Sequence, residues 1–251
     1  LFNIDKNLIW PKGWTYSDKL YHYGSPITPL ALNSNEDINK DIFFIKNKII
    51  EYLSSKYPKA LINVSIKDYK KFNSNNLYLI KSIKSTPIIS LITLANSESH
   101  NFTAESLFKN TSKTWDKNEY LKLNYWIKNK GIRKKGIYIA DASGLSRDNR
   151  VTTNLLANFL YKMKFHKDFN FYSSSLSIMG IRGTLANRFK NTKLEEKFFG
   201  KTGTLSNVYA LSGYLYKKEN SLTVSIIQNS SLIDKNIIFN LLLDIYNLKK
   251  F

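Results

Sequence analysis

Residues 197–228 read KFFGKTGTLSNVYALSGYLYKKENSLTVSIIQ, and the fold turns on how this stretch divides. Three runs, 197–203, 207–216 and 221–228, are short, rich in Val, Ile, Tyr and Phe, and set apart by polar turn residues, which predicts three successive strands. The turn at 217–220 makes the last two a hairpin, and an apolar periodicity over 234–248 predicts a closing helix. Strand, strand, strand, helix is the order of an antiparallel sheet backed by helices, an α/β chain of the α+β kind. Lys201-Thr202-Gly203-Thr204 falls where the first strand ends, at a sheet edge that would face a cleft. A lysine ammonium and a threonine hydroxyl can together hold a carboxylate, and Gly203 leaves room for an extended peptide to lie against the edge. Taken alone, the same four residues also suit a tight turn with a solvated lysine.

Upstream, an apolar pattern over 87–94 predicts a helix that gives way to the polar knot Asn96-Ser97-Glu98-Ser99-His100-Asn101, followed by a second short helix over 102–109. An amphipathic helix over 116–130 stops at Gly131, and a strand over 136–140 leads into Asp141-Ala142-Ser143-Gly144-Leu145-Ser146-Arg147. A further helix runs from about Thr153 to Phe165. Nearer the start, 1–35 reads as loop plus a strand over 20–32, 37–54 as a helix with one apolar stripe, and 60–66 and 77–83 as strands about a turn at 73–76. Residues 1–83 are thus expected to form a small mixed unit, and 84–251 a larger one.

The 251 residues carry a formal net charge of +19 and no cysteine. The absence of cysteine excludes a disulfide framework, a thiolate nucleophile and a Cys-based zinc site. A positive excess suits a polyanion partner, but only five residues are arginine and the lysines are scattered among Asn and Ile along the whole chain, so nucleic-acid binding is not expected. His22, His100 and His166 are too far apart for a helical metal pair, so no metal and no cofactor are expected. No run reaches the roughly 18 to 20 apolar residues of a membrane-spanning helix.

Gly180, Gly183-Thr184-Leu185, Arg188-Phe189, Lys201-Thr202-Gly203-Thr204-Leu205-Ser206 and Leu211-Ser212-Gly213-Tyr214 form a set of short stretches in one order. Together they resemble the penicillin-binding D-alanyl-D-alanine carboxypeptidases/endopeptidases of the DacB-like serine peptidase family. The likeness continues through Asp141 to Arg147 with Asn149, through Ser99-His100-Asn101 with Ala104-Glu105, and through Trp14, Tyr23-Gly24 and residues 30–35. S-x-x-K, S-D-N and K-T-G are the motif set of penicillin-binding proteins and class A β-lactamases, and the second and third occur here in that order, with His100 in place of Asp.

The resemblance implies a β-lactamase/transpeptidase-like antiparallel sheet flanked by helices over 84–251, with part of an accessory domain over 1–83. It implies a periplasmic or cell-envelope peptidase that opens peptidoglycan stem peptides through an acyl-enzyme and is acylated by β-lactams. Carried over by position, Ser99 relays a proton to the leaving amine, Asn101 holds a substrate amide and Lys201 keeps Ser99 poised. Thr202 binds the terminal carboxylate, Gly203 and Thr204 line the edge, and the Thr204 N–H supplies an oxyanion donor. Ser143, Ser146 and Arg147 form the opposite wall. Ser106-Leu107-Phe108-Lys109 satisfies S-x-x-K formally, but in the resemblance it is the helix after Ser-x-Asn. The true S-x-x-K is expected upstream of residue 1, leaving this chain a fragment without its nucleophile. Ser143 and Ser146 are alternative nucleophiles by composition, yet no G-x-S-x-G surrounds them. Ser74-Asn75-Asn76 also matches Ser-x-Asn, in a turn context. The competing readings are a truncated pseudoenzyme that still binds cell-wall stems, a basic polyanion-binding module, and a serine β-lactamase.

Overall fold

The computed structural model describes residues 2–3, 9–29, 31, 33–36, 43–65, 67–68, 84–111, 119–129 and 136–248. In chain order these form β1 (Phe2–Asn3), α1 (Phe43–Lys56), β2 (Lys67–Asp68), α2 (Ile88–Ser97), α3 (Asn101–Asn110), α4 (Glu119–Asn129), α5 (Thr153–Met163) and α6 (Phe169–Ser174). Then follow β3 (Ser177–Ile178), β4 (Phe198–Leu205), β5 (Val208–Lys217), β6 (Asn220–Asn229) and α7 (Lys235–Asn247).

The main sheet has the order β3-β4-β5-β6, every pair antiparallel. Strand β5 explains how the layers stack. Its Tyr209, Leu211 and Leu215 join Phe198, Val224 and, from α7, Ile238, Phe239 and Leu242 in one core. Its Tyr214 instead meets Leu160 of α5 and Leu176, with Phe199 and Tyr216 packed beside them. Alternate residues of one strand thus feed opposite cores, the two-residue period of a pleated sheet covered by helices on both faces. The buried Tyr214 hydroxyl donates to Leu160 O at 2.9 Å, so its polar tip is satisfied. Helix α5 starts where the Thr152 side chain accepts from Leu155 N, and α7 where Asp234 accepts from Asn236 N. Gly200 and Gly213 face each other across β4 and β5, and a Cβ on either would lie 2.6 Å from Ser212 O or 2.2 Å from Phe199 O respectively. Only glycine permits that approach.

Several local expectations change. Among the described residues of 20–32 the expected strand is absent: 3-10 turns occupy Asp18–Leu20 and His22–Gly24, closed by bonds such as Tyr21 N to Asp18 O at 3.1 Å, and Pro26 has no N–H for a ladder. Residues 60–65 hold no strand, while the run at 77–83 and the turn at 73–76, with Ser74, lie outside the described residues. The strand expected over 136–140 shrinks to one bridge, Tyr138 to Arg150, because the Ala140 N–H is taken by Asn149 Oδ1 at 2.8 Å. Helix α6 and the two-residue β3 had no sequence signal long enough to read.

Residues 9–29 fall in the stretch expected to form the first unit and touch residues of the second. Trp14 and Ile27 share a core with Leu145, and Trp10, Phe102 and Leu205 lie against it. The Trp14 indole donates to Asp141 at 2.9 Å.

Candidate active site

Helix α2 ends at Ser97, and the chain must turn sharply to start α3 at Asn101. Ser99 makes that turn at φ 60°, a left-handed conformation unusual for a residue with a Cβ. His100 caps α3: its Nδ1 accepts from Thr103 N at 3.3 Å and meets Thr103 Oγ1 at 2.7 Å, while Nε2 lies 3.4 Å from Glu36 Oε1. The short acceptor that an Asp would provide at this position is thus replaced by a ring nitrogen, and the turn keeps its helix cap. Asn101 Nδ2 donates to Tyr23 O at 3.1 Å.

Across the gap, Lys201 Nζ donates to Ser99 Oγ at 2.6 Å and to Thr202 O at 2.9 Å. Burial pulls the Lys201 ammonium down to about 8. Thr202 Oγ1 donates to Thr184 Oγ1 at 2.8 Å. Strand β3 pairs only with Phe199 and Gly200, so among the described strands nothing pairs with residues 201–205 of β4 on the side away from β5. A Cβ at Gly203 would meet only Ala210 Cβ, at 3.6 Å, so the chain's own packing does not demand glycine there.

The opposite wall is the loop 141–147. Asp141, almost wholly buried, gathers it by accepting from Trp14 Nε1, Ser143 Oγ, Gly144 N, Ser146 N and Asn149 Nδ2. The buried Glu105 accepts from Ala142 N and Ser143 N. Arg147 pairs with Asp18 and donates to Leu145 O at 3.0 Å. Burial works against ionisation of Asp18, but hydrogen bonds from Thr15 and then from the Arg147 guanidinium outweigh it and hold the carboxyl below its usual range.

Between the walls lies a cleft of about 800 Å³. Ser99, Asn101, Ser143, Arg147 and Lys201 to Thr204 all line it; Asp18, Tyr23 and Thr184, to which no role had been given, line it too. Its floor is apolar, with Leu156, Phe159 and Leu160 of α5, Tyr172 and Ala210. Ser146 is not brought there: its hydroxyl is buried, donates to Lys12 O at 2.6 Å and accepts from Asp148 N, so it anchors the loop to the segment around Lys12. Ser106 and Lys109 also stay outside the cleft lining, and the Ser106 hydroxyl is buried without a hydrogen-bond partner among the described residues. Thr184 and Glu105 both fall inside stretches that carry the family likeness, but their signal lay in contacts with Thr202 and with loop 141–147, which spacing along the chain does not reveal. Among the described residues no three His, Asp or Glu side chains are placed to hold a metal ion.

A lysine and a serine hydroxyl in contact at the free edge of an antiparallel strand, facing a wall on the far side of a cleft, define the K-T-G and S-x-N half of the penicillin-binding protein and serine β-lactamase class of site. The chain belongs to the D-Ala-D-Ala carboxypeptidase 3 (S13) family, whose sequence model matches residues 49–241. It is 38% identical over 104 residues to a D-alanyl-D-alanine carboxypeptidase from an Actinomadura species, covering 39% of this chain and 19% of that protein. It is 28% identical over 139 residues to D-alanyl-D-alanine carboxypeptidase DacB of Haemophilus influenzae, covering 52% of this chain and 29% of the relative. Penicillin binding protein 4 of Haemophilus influenzae, solved with a β-lactam, has the same fold: TM-score 0.68 at 24% identity, covering 81% of this chain and 50% of that one. The chain therefore spans about half the length of that solved relative and less than a third of these two sequence relatives.

Proposed function

We propose that this chain contributes the substrate-holding half of a serine-type D-Ala-D-Ala carboxypeptidase/endopeptidase that acts on peptidoglycan stem peptides in the cell envelope. The observation that carries this reading is the 2.6 Å contact between Lys201 Nζ and Ser99 Oγ at the free edge of β4. An extended peptide lying on that edge meets Thr202 and the Lys201 ammonium with its terminal carboxylate and the Asn101 amide with its backbone. Ser99, hydrogen-bonded to a cation, is suited to pass a proton to a departing amine, and the Thr204 N–H to hold an oxyanion. Arg147 and Ser143 offer polar contacts from the other wall. The same carboxylate-binding edge accounts for β-lactam recognition, since these drugs carry an equivalent acid.

No serine lining the described cleft has a lysine three residues on. In this reading the nucleophile therefore comes from an S-x-x-K segment other than 106–109, and attacks the carbonyl presented on β4 to form the acyl-enzyme that water opens. We infer a domain division in which residues 9–29, which share a core with Leu145 and bond to Asp141, go with the catalytic unit, leaving the accessory part to later residues of the 1–83 stretch.

The test is binding of N-acetyl-D-alanyl-D-alanine and of its C-terminal amide to the 251-residue chain, followed by calorimetry. The acid should bind on the order of tenfold or more tighter than the amide, because only it makes charge-assisted bonds to Thr202 and Lys201. Equal affinities, or no binding of either, would remove the reading. A labelled penicillin should leave no covalent adduct on this chain by mass spectrometry.

A further inference from the structure

Glu105 is wholly buried, although it lies on α3, the helix whose first residue is Asn101. Its Oε1 accepts from Ala142 N and Ser143 N, each at 2.8 Å, and its Oε2 accepts from the Tyr120 hydroxyl of α4 at 2.8 Å. These three partners are neutral donors, and among the described residues the charge of Asp141, of the same sign, acts on it. A carboxylate buried beside a like charge is unfavourable unless its hydrogen bonds are needed. These three bonds join α3, α4 and the cleft loop at one point.

We propose that Glu105 is a positioning residue: its carboxylate ties the Ala142–Ser143 wall to the helix that begins beside Ser99, and so sets the width of the cleft facing the Lys201–Thr204 edge. The clamp stands on geometry alone; its effect on ligand rests on the carboxypeptidase reading. Burial first, and then the charge of Asp141, push the Glu105 carboxyl up to about 7, against the hydrogen bonds from Tyr120 and Ser143 that favour ionisation. The groups facing it are Asp141 of the loop and Tyr120 of α4; Lys109, one turn further along α3, is buried as well. Near neutral pH the clamp therefore passes between two states. Ionised, Oε1 receives both N–H groups as charge-assisted bonds; protonated, its acceptor strength falls and the Tyr120 hydroxyl must turn to accept the new proton. The cleft wall is held more firmly above the transition than below it.

The experiment follows the amide resonances of Ala142 and Ser143 in the 251-residue chain by NMR between pH 5 and 9. Both should titrate together with a midpoint near 7. In Glu105→Gln, which keeps an acceptor oxygen for the two N–H groups, they should stay flat. In Tyr120→Phe, which removes a bond favouring the ionised form, the midpoint should move upward. Amides that do not titrate in this window, or that titrate unchanged in Glu105→Gln, overturn the proposal. Between pH 8 and pH 6 the Lys201 ammonium also fills, which favours the acid peptide about twofold in both proteins, so the affinity of the unaltered chain for N-acetyl-D-alanyl-D-alanine should fall on the order of tenfold relative to that of Glu105→Gln over this range. Identical pH dependence in both proteins would remove Glu105 from control of the cleft. If the peptide binds neither, the carboxypeptidase reading fails while the amide titration still decides the clamp.

Discussion

At the scale of single residues, Lys201 has two opposed properties. Its ammonium holds Ser99, and its burial disfavours the charge that does so. With the folded value lowered to about 8 from 10.5, the cost is present in full below pH 8 and is relieved as pH rises toward 10.5. Lys201→Met should therefore stabilise the fold at pH 7 by on the order of 1 to 2 kcal/mol after its two hydrogen bonds are lost, an advantage that vanishes at about pH 9 and reverses by about pH 10. The same change should weaken binding of the acid peptide by roughly 10- to 100-fold. Urea unfolding at pH 7 and pH 10 checks the first, calorimetry the second; a variant less stable at both pH values would show that the hydrogen bonds outweigh the desolvation. Lys218→Ala, at an exposed turn, is the fitting control. Lys217, which a sequence reading places in the same solvated turn, donates to Tyr246 O at 2.8 Å and Leu248 O at 2.7 Å and so closes the end of α7.

At the scale of elements, the hairpins of the sheet separate glycine as packing from glycine as access. Gly213→Ala puts a Cβ 2.2 Å from Phe199 O, a backbone atom that cannot step aside, and should cost about 3 kcal/mol or more. Gly203→Ala meets only Ala210 Cβ at 3.6 Å and should leave the urea midpoint within roughly 0.5 kcal/mol of the parent. Yet it places a methyl group where a peptide would pair with β4, so binding of the acid peptide should drop. A Gly203→Ala chain that binds as well as the parent would move the ligand off this edge. Strand positions and the closing helix were legible in the sequence because each is set by neighbours within a few residues. Residues 20–29 were not: their sequence fits a strand, but with no partner strand beside them among the described residues the chain closes its own i to i+3 bonds.

At the scale of the whole molecule, the early segment and the middle of the chain make one cleft wall. Trp14 reaches Asp141 across 127 positions, Ser146 reaches Lys12 across 134, and Arg147 reaches Asp18. Trp14→Phe keeps the ring in its core and removes the indole donor, leaving one lone pair of a buried carboxylate unmet. It should cost about 1 to 2 kcal/mol and loosen loop 141–147, read as faster hydrogen exchange at Gly144 and Ser146. Exchange unchanged at both amides would show that the remaining donors to Asp141 hold the loop without Trp14.

By itself the sequence determined three successive strands of the sheet, the helix that closes it, and the family, through K-T-G and Ser-x-Asn in their order. These depend on two- and four-residue periods and on short motifs, all local along the chain. Only the tertiary structure decided which polar groups meet. It set Ser99 against Lys201 over 102 positions, turned Ser146 away from the cleft it was expected to line, drew in Thr184, and buried Glu105 beneath the wall. A polar side chain's role depends on what remains unsatisfied around it once distant segments have packed, and that is a property of the folded core rather than of its neighbours in sequence.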